Sequence, residues 1–210
     1  FPFGTGKEIE IGYSKALALR VTYVGELGWE LYIPCEFAQD LYDRLLEAGQ
    51  DHGLKHAGMH ALNSLRLEKA YRHWGHDITD EDTPLEAGLS YAVAWDKSGG
   101  FIGRETLIRK KEEGLLKKRM VQFALKDPEP LLYHNEPIWC GNHIVGETTS
   151  GMYGHSIGSC LGMGYVENFE GVSKEWVESE NFEIEVAGER FPARASLKGF
   201  YDPTNLRIKT

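Results

Sequence analysis

The sequence predicts an α+β protein in which a part of mixed helices and strands is followed by a small β-barrel. Up to about residue 114, segments with the helical period of apolar residues alternate with segments in which apolar residues recur at every second position. From Lys118 onward, short strand-like segments are separated by turn residues, and no long helical pattern occurs. We therefore expect an α/β part over residues 1–114 and a C-terminal β-barrel domain over residues 115–210.

Composition excludes several classes of protein. The chain has 210 residues, 41% of them hydrophobic and 26% charged, which is ordinary for a globular protein and too apolar for a disordered one. Its 32 acidic and 23 basic residues give a formal net charge of −9. Nucleic acids and anionic membrane surfaces attract a surplus of Lys and Arg, so we expect neither as a partner. No apolar run approaches the ~18 residues of a transmembrane helix.

The first elements predicted are two strands that form a hairpin. Residues 16–24 alternate in polarity, and a second strand covers residues 29–33 before Pro34. With a four-residue loop over Gly25–Gly28, Tyr23 faces Glu30 across the hairpin, with Cβ atoms ~5 Å apart. A change of one residue in loop length would place the two on opposite faces.

A phenol and a carboxylate on one patch suggest a binding site. A carboxylate accepts two parallel hydrogen bonds, which suits a ligand with two adjacent N–H donors, such as a pterin or a guanidinium. The structural alternative is an exposed strand Glu30 beside a Tyr23 at the edge of the core, and spacing alone favours this alternative.

The remaining elements follow from helical and strand periods with their boundary residues. Thr83, Pro84 and Glu86 have the pattern of a capping box, after which we expect only a short helix. The predicted helices are 37–48, ended by Gly49, then 57 to about 71, and 104–113, and a strand is expected over 91–95. The predicted barrel strands are 120–125, 138–140, 143–145, 161–166, 182–186 and 191–197. Gly141-Asn142 and Ala187-Gly188 are predicted hairpin turns.

Other residue clusters give weaker signals. His73, His76 and Asp77 lie close in sequence but lack the spacing of a zinc site, so we expect no metal. Two basic runs, 109–111 and 117–119, could attract an anionic tail such as polyglutamate, although a solvated helix face is the commoner explanation. Three scattered cysteines predict reduced thiols. No dinucleotide or phosphate-binding glycine motif opens a helix, and no serine triad is indicated.

Several segments together resemble the glycine cleavage T-protein superfamily, a resemblance that spans essentially the whole chain. They are Leu19–Pro34, Asn63–Ala70, Thr83–Leu89, Phe101–Arg104, Thr149–Gly151, Gly162–Val166 and Tyr201–Asn205. The variants at Val24–Glu30 and Tyr71–Trp74 resemble the branch of FAD-dependent dimethylglycine and sarcosine dehydrogenases, in which a flavin domain precedes the folate domain.

The resemblance implies a fold and a folate site. The family fold is a three-lobed cloverleaf whose last lobe is a β-barrel, with tetrahydrofolate in a central channel; this chain would lack its N-terminal part. Tyr23 and Glu30 match family residues at the folate site, where the glutamate grips the pterin, and Arg207 matches a position near the ligand. The family's arginine on the second helix is replaced by Leu62, although Arg66 lies one turn further along.

The resemblance also implies a reaction and its partners. The flavin domain would oxidise a methylated amine to an iminium ion, and the folate domain would capture the one-carbon unit as 5,10-methylenetetrahydrofolate. The family's catalytic aspartate and FAD would lie upstream of Phe1, so we expect no catalytic residue here and no activity from this chain alone. Its partner would be its own N-terminal flavin and folate half, in the cytoplasm or, in a eukaryote, the mitochondrial matrix.

Two other functions remain open. A stand-alone T protein or folate-dependent demethylase would lack the flavin domain, and a non-catalytic regulatory subunit would keep the fold without the chemistry. Retention of Tyr23 and Glu30 is evidence against loss of function, whereas Leu62 is evidence for it.

Overall fold

The computed structural model describes residues 1–209 and divides the chain into two compact units. One unit contains residues 1–65 together with the C-terminal residues from Thr204 onward, and the other contains residues 66–203. The division falls within helix α2 (Met59–Glu68). The α+β fold class is confirmed, whereas the expected domain division at residues 114/115 stays a prediction.

The first unit contains a three-stranded antiparallel sheet in the order β1-β2-β3. Its strands are β1 (Gly6–Ile11), β2 (Ser14–Leu19) and β3 (Glu30–Tyr32). Strand β1 was not predicted from the sequence, although its residues GKEIEI alternate in polarity. The turn from β1 to β2 has only two residues, and Gly12 adopts the left-handed conformation there with φ of 60°. That short turn sets β1 beside β2.

Helix α1 (Ala38–Gly49) follows the sheet and confirms the predicted helix within one residue at each end. Leu41 is buried on its apolar side. Gly49 was predicted to end the helix, but it is still helical. A 3₁₀ turn over Gln50–His52 follows it, and the left-handed residue is Gly53, with φ of 67°. Leu54 N–H donates to the Gly49 carbonyl at 3.0 Å, so one of the last helical carbonyls is still satisfied.

The second unit begins with the end of α2 and a chain of turns leading to α3 (Arg104–Glu112). The predicted capping box is confirmed by its hydrogen bonds. Thr83 Oγ1 donates to Glu86 Oε2 at 2.6 Å, Thr83 N–H donates to the same oxygen at 3.2 Å, and Glu86 N–H donates back to Thr83 Oγ1 at 3.3 Å. The turn it opens stops at Gly88, which has φ of 70°.

The predicted strand over residues 91–95 is wrong. A 3₁₀ turn occupies Ser90–Ala92, and backbone N–H groups there bond to carbonyls three residues earlier instead of to a neighbouring strand. Trp95 Nε1 also donates to the Ser90 carbonyl at 3.2 Å. The apolar run Tyr91–Trp95 favours a strand by propensity, but hydrogen bonds within the segment hold its backbone in turns instead.

The predicted β-barrel is confirmed as a closed barrel of six strands in the order β4-β7-β6-β5-β8-β9. The strands are β4 (Lys118–Leu125), β5 (Pro137–Cys140), β6 (His143–Gly154), β7 (Ser159–Glu167), β8 (Phe182–Val186) and β9 (Glu189–Ser196), with the short helix α4 (Lys174–Ser179) after β7. Both predicted hairpin turns occur, and Ala187 and Gly188 have φ of 52° and 86°.

The barrel strand β4 is buried on both faces. Phe123 packs in the barrel interior with Ile138, Phe182 and other apolar side chains, whereas Met120 and Ala124 belong to a second buried cluster with Leu67 of α2. Gln122 lies on the same face of β4 as Met120 and Ala124. Its side-chain nitrogen donates to the Leu67 carbonyl, and its side-chain oxygen accepts from Phe200 N–H at 2.9 Å. This buried amide ties α2 to the barrel.

No helix within residues 1–209 is both long enough and apolar enough to cross a membrane.

Candidate functional site

The candidate site is the exposed face of the β2–β3 ladder in the first unit. Leu17 pairs with Tyr32 and Leu19 pairs with Glu30, so these four side chains lie on one face of the sheet. Ser14, Ala16 and Ala18 point to the other face and are buried. Leu17 is 46% exposed and Tyr32 is 54% exposed. The face therefore presents an accessible carboxylate beside apolar surface.

The predicted pairing of Tyr23 with Glu30 is wrong. Strand β2 ends at Leu19, so the connection to β3 is ten residues long (residues 20–29) rather than the four of Gly25–Gly28. Thr22 Oγ1 accepts the N–H groups of Val24 and Gly25 at 3.2 and 3.1 Å. Such side-chain hydrogen bonds compete with the strand ladder and turn the backbone out of it. Glu30 consequently faces Leu19.

The structure places Tyr23 half-buried in this connecting loop, and Arg207 beside the same loop. Arg207 begins a 3₁₀ turn over Arg207–Lys209, and its Nη1 lies 3.5 Å from Glu26 Oε2. Both of these charged side chains are largely exposed, so the pair contributes little to stability. Within the first unit, Arg207 thus lies near the loop that carries Tyr23.

Glu30 also makes a hydrogen bond with Tyr32 that was not predicted from the sequence. Tyr32 Oη donates a hydrogen bond to Glu30 Oε2 at 2.6 Å. Hydrogen bonding to the carboxylate, and then its negative charge, raise the pKa of the Tyr32 phenol above its usual value. The spacing i, i+2 within a strand was the available signal, because such residues share a face.

Arg66, one turn further along α2 than Leu62, is held by internal hydrogen bonds. Its guanidinium is almost fully buried, and Nη1 lies 2.7 Å from Asp77 Oδ2. Nη2 donates to Ser150 Oγ at 2.8 Å, and Nη1 also donates to the Tyr71 carbonyl at 3.1 Å. These bonds commit Arg66 to the interior of the second unit.

Asp77 serves as a hydrogen-bond acceptor within this interior. Besides Arg66, its carboxylate accepts from Thr149 Oγ1 at 2.5 Å, from Ser150 Oγ at 2.7 Å and from His73 N–H at 2.8 Å. The His73 and His76 rings stack 4.8 Å apart. Across residues 1–209, no three His, Cys, Asp or Glu side chains are grouped so that they could hold a metal ion.

The two basic runs are partly neutralised by carboxylates. Lys110 Nζ lies 2.6 Å from Glu86 Oε1, and Lys118 Nζ lies 3.0 Å from Asp82 Oδ1. Burial by itself would raise the pKa of Glu86 and of Asp82, but the hydrogen bonds from these lysines and from neighbouring threonines lower both below their usual values. An anionic tail would have to compete with these pairs.

Two family models match different segments of the chain. Residues 1–97 match the family model described as the GCVT N-terminal domain, and residues 118–202 match the glycine cleavage T-protein C-terminal barrel domain. A solved structure of the glycine cleavage system aminomethyltransferase T from Bartonella henselae superposes with a TM-score of 0.82 at 26% identity. That match covers 97% of this chain and 54% of the other.

The curated relatives are much longer proteins. The chain is 43% identical over 204 residues to a formaldehyde-forming 4-methylaminobutanoate oxidase of Paenarthrobacter nicotinovorans. The matched segment covers 97% of the chain and 24% of that relative. It is 37% identical over its full length to human mitochondrial sarcosine dehydrogenase, covering 23% of that protein. It is also 36% identical to the mouse pyruvate dehydrogenase phosphatase regulatory subunit, over 94% of the chain and 24% of the relative. The chain thus spans about a quarter of the length of these relatives.

Proposed function

Because the chain belongs to the glycine cleavage T-protein superfamily, we propose that it binds tetrahydrofolate and forms the one-carbon-transfer portion of an enzyme like the sarcosine and dimethylglycine dehydrogenases. The observation that carries this proposal is the accessible Glu30 carboxylate on the β2–β3 face. Leu17 and Leu19 flank it on the same face. A flat heterocycle with adjacent N–H donors fits this combination of apolar surface and paired acceptor oxygens.

The proposed roles of the three predicted residues differ. Glu30 would accept two parallel hydrogen bonds from the pterin edge, and as an ionised acceptor it would make stronger bonds than a neutral group. Tyr23, in the neighbouring loop, would help to position either the catalytic carboxylate or the reacting folate amine. Arg207 lies beside that loop through its contact with Glu26, and it would attract an anionic part of the folate.

The proposed reaction couples amine oxidation to one-carbon transfer. A flavin domain elsewhere in the longer protein would oxidise an N-methyl amine to its iminium ion, with FAD accepting the hydride. When bound here, tetrahydrofolate would supply two amines to the iminium carbon, and the product would be 5,10-methylenetetrahydrofolate. The demethylated amine would leave with one of the two N–H protons, and the general base would take the other. The general base for this step would be an aspartate contributed from outside this chain. We therefore expect the chain alone to bind folate and not to catalyse transfer.

Leu62 favours a second candidate, a non-catalytic regulatory subunit of the same fold. The regulatory-subunit relative has nearly the same identity to this chain as the dehydrogenase relative. Leu62 removes the cation that the family places on the second helix, and the buried Arg66 does not restore it. A subunit of this kind would keep the barrel and lose tight folate binding, so a binding measurement separates the two candidates.

The test is calorimetric binding of tetrahydrofolate to the chain and to the Glu30→Gln variant under anaerobic, reducing conditions. Loss of a charge-assisted pair of hydrogen bonds is expected to weaken binding about tenfold or more. Glu47→Gln is the matched control, because Glu47 is an exposed carboxylate on α1, away from the β2–β3 face. Equal affinity of the wild type and the Glu30 variant, or no binding by the wild type, would contradict the proposal.

A further inference from the structure

The hydrogen bond between Tyr32 and Glu30 links two side chains on the proposed binding face. Both belong to β3 and point the same way, since they are two residues apart in a strand. The O···O distance of 2.6 Å lies in the range of hydrogen bonds from hydroxyl groups to carboxylates. The Tyr32 ring stands opposite Leu17 in the β2–β3 register, so its backbone position is set by strand pairing.

We propose that Tyr32 is a positioning residue that holds the Glu30 carboxylate in the orientation in which it binds the pterin edge. This inference rests on the proposed function. Tyr32 acts on the ligand through Glu30, and its phenol stays bonded to Oε2 while both carboxylate oxygens face the ligand. Each carboxylate oxygen has two acceptor sites, so one bond from Tyr32 leaves enough acceptors for two parallel N–H donors.

The need for such a residue follows from the exposure of Glu30. An exposed glutamate on a strand samples many rotamers, and ordering it on ligand binding costs conformational entropy. A group that already holds the carboxylate reduces that cost, which is how preorganisation raises affinity. Tyrosine suits this role because it has only two side-chain torsions and a donor at the end of a rigid ring.

The titration of the Tyr32 phenol responds to its hydrogen bond with Glu30. A nearby carboxylate disfavours the phenolate, and accordingly the pKa of Tyr32 is raised, first by the hydrogen bond to Glu30 and then by its charge. A phenol is protonated at neutral pH even at its ordinary pKa of about 10, so Tyr32 is able to donate. This property provides a readout that needs no folate.

The first experiment compares tetrahydrofolate affinity in Tyr32→Phe, which removes only the hydroxyl, with the wild type. We expect binding to weaken about two- to tenfold, because the Glu30 side chain must then be ordered when the ligand binds. Tyr13→Phe is the matched control, because Tyr13 is an exposed tyrosine of the same unit in the β1–β2 turn. In the Glu30→Gln background, Tyr32→Phe should have little further effect, since the two residues act as a pair.

The second experiment titrates the Tyr32 phenol by NMR, in the wild type and in Glu30→Gln. The pKa of Tyr32 is expected to fall toward its ordinary value in the variant, and an unchanged pKa would overturn the inference. If the wild type binds folate and Glu30→Gln weakens binding while Tyr32→Phe does not, the positioning role is wrong and the proposed function stands. If the wild type binds no folate, the proposed function fails and this role fails with it.

Discussion

At the scale of single residues, the buried Asp77 carboxylate collects hydrogen bonds from several segments of the second unit. Asp77 is fully buried and accepts hydrogen bonds from Arg66, Thr149, Ser150 and the His73 backbone. Through these bonds it joins the end of α2, the loop that follows α2 and barrel strand β6. Taking two charges out of water is costly, so removing only one of them leaves the other without compensation.

Replacing Asp77 by alanine should therefore destabilise the protein strongly. Loss of the carboxylate leaves the buried Arg66 guanidinium unpaired, and breaking a buried pair in this way costs about 3–5 kcal/mol. The free energy of unfolding in urea measures the loss. The double variant Arg66→Met/Asp77→Leu is the control and should be less destabilised than Asp77→Ala. Equal stability of Asp77→Ala and the wild type would contradict the role given to the pair.

At the scale of elements, glycines allow β6 and β7 to approach closely. A Cβ added at Gly146 would lie 1.9 Å from the Tyr165 carbonyl oxygen, and one added at Gly164 would lie 2.2 Å from the Glu147 carbonyl oxygen. Both contacts are with backbone atoms, which have no rotamer in which to move away. The ladder also shifts register between Thr148 and Ser150. This part of the barrel wall thus depends on residues without side chains.

The substitution Gly164→Ala should disturb the barrel more than a methyl group usually does. Overpacking of this kind costs about 1–3 kcal/mol or more, because strand backbone must shift. Gly99→Ala is the control, since no atom lies within 4 Å of its added Cβ. Its effect should stay within about 0.5 kcal/mol. Thermal unfolding of the two variants measures the difference. Similar unfolding midpoints would contradict the prediction, because they would show that the β6 and β7 backbones can move apart at little cost.

At the scale of the whole molecule, stability should depend on pH through carboxylates that are paired in the folded state. The Asp82–Lys118 pair connects the segment before the capping box to β4, and the Glu86–Lys110 pair connects the capping box to α3. Burial opposes ionisation of both carboxyls, yet hydrogen bonds hold the pKa of each below its usual value. Their ionised forms therefore stabilise the fold.

A carboxyl whose pKa is lower in the folded than in the unfolded state stabilises the protein above its unfolded pKa. That stabilisation is lost as the pH falls through the folded pKa. The ordinary values are 3.8 for Asp82 and 4.5 for Glu86, so stability should decline below these values. The Asp82→Asn/Glu86→Gln variant should be less stable at neutral pH and show a flatter decline in acid. Urea unfolding from pH 7 down to about pH 3 measures both curves, and parallel curves would contradict the prediction.

The barrel and the main helices could be predicted because their signals are local. Strands β4 to β9 combine apolar periodicity with turn residues such as Gly141-Asn142 and Ala187-Gly188, which need few long-range contacts to be recognised. The capping box at Thr83 and Glu86 is equally local, and its hydrogen bonds form as predicted. The prediction of a strand over residues 91–95 was wrong because a strand must pair with a neighbouring strand. The propensity of a segment does not say whether such a neighbour is present.

The sequence by itself determined the fold class, the family and the presence of Glu30 on a strand, because these follow from periodicity, turn residues and ordered motifs along the chain. Tertiary structure alone decided which residue faces Glu30, since strand register depends on where β2 ends and on the bonds that Thr22 makes in the loop. It also decided that Arg66 is committed to Asp77 and that Tyr32 bonds to Glu30. The direction and partner of a polar side chain depend on neighbours that packing brings together, whereas periodicity records only which side of an element it occupies.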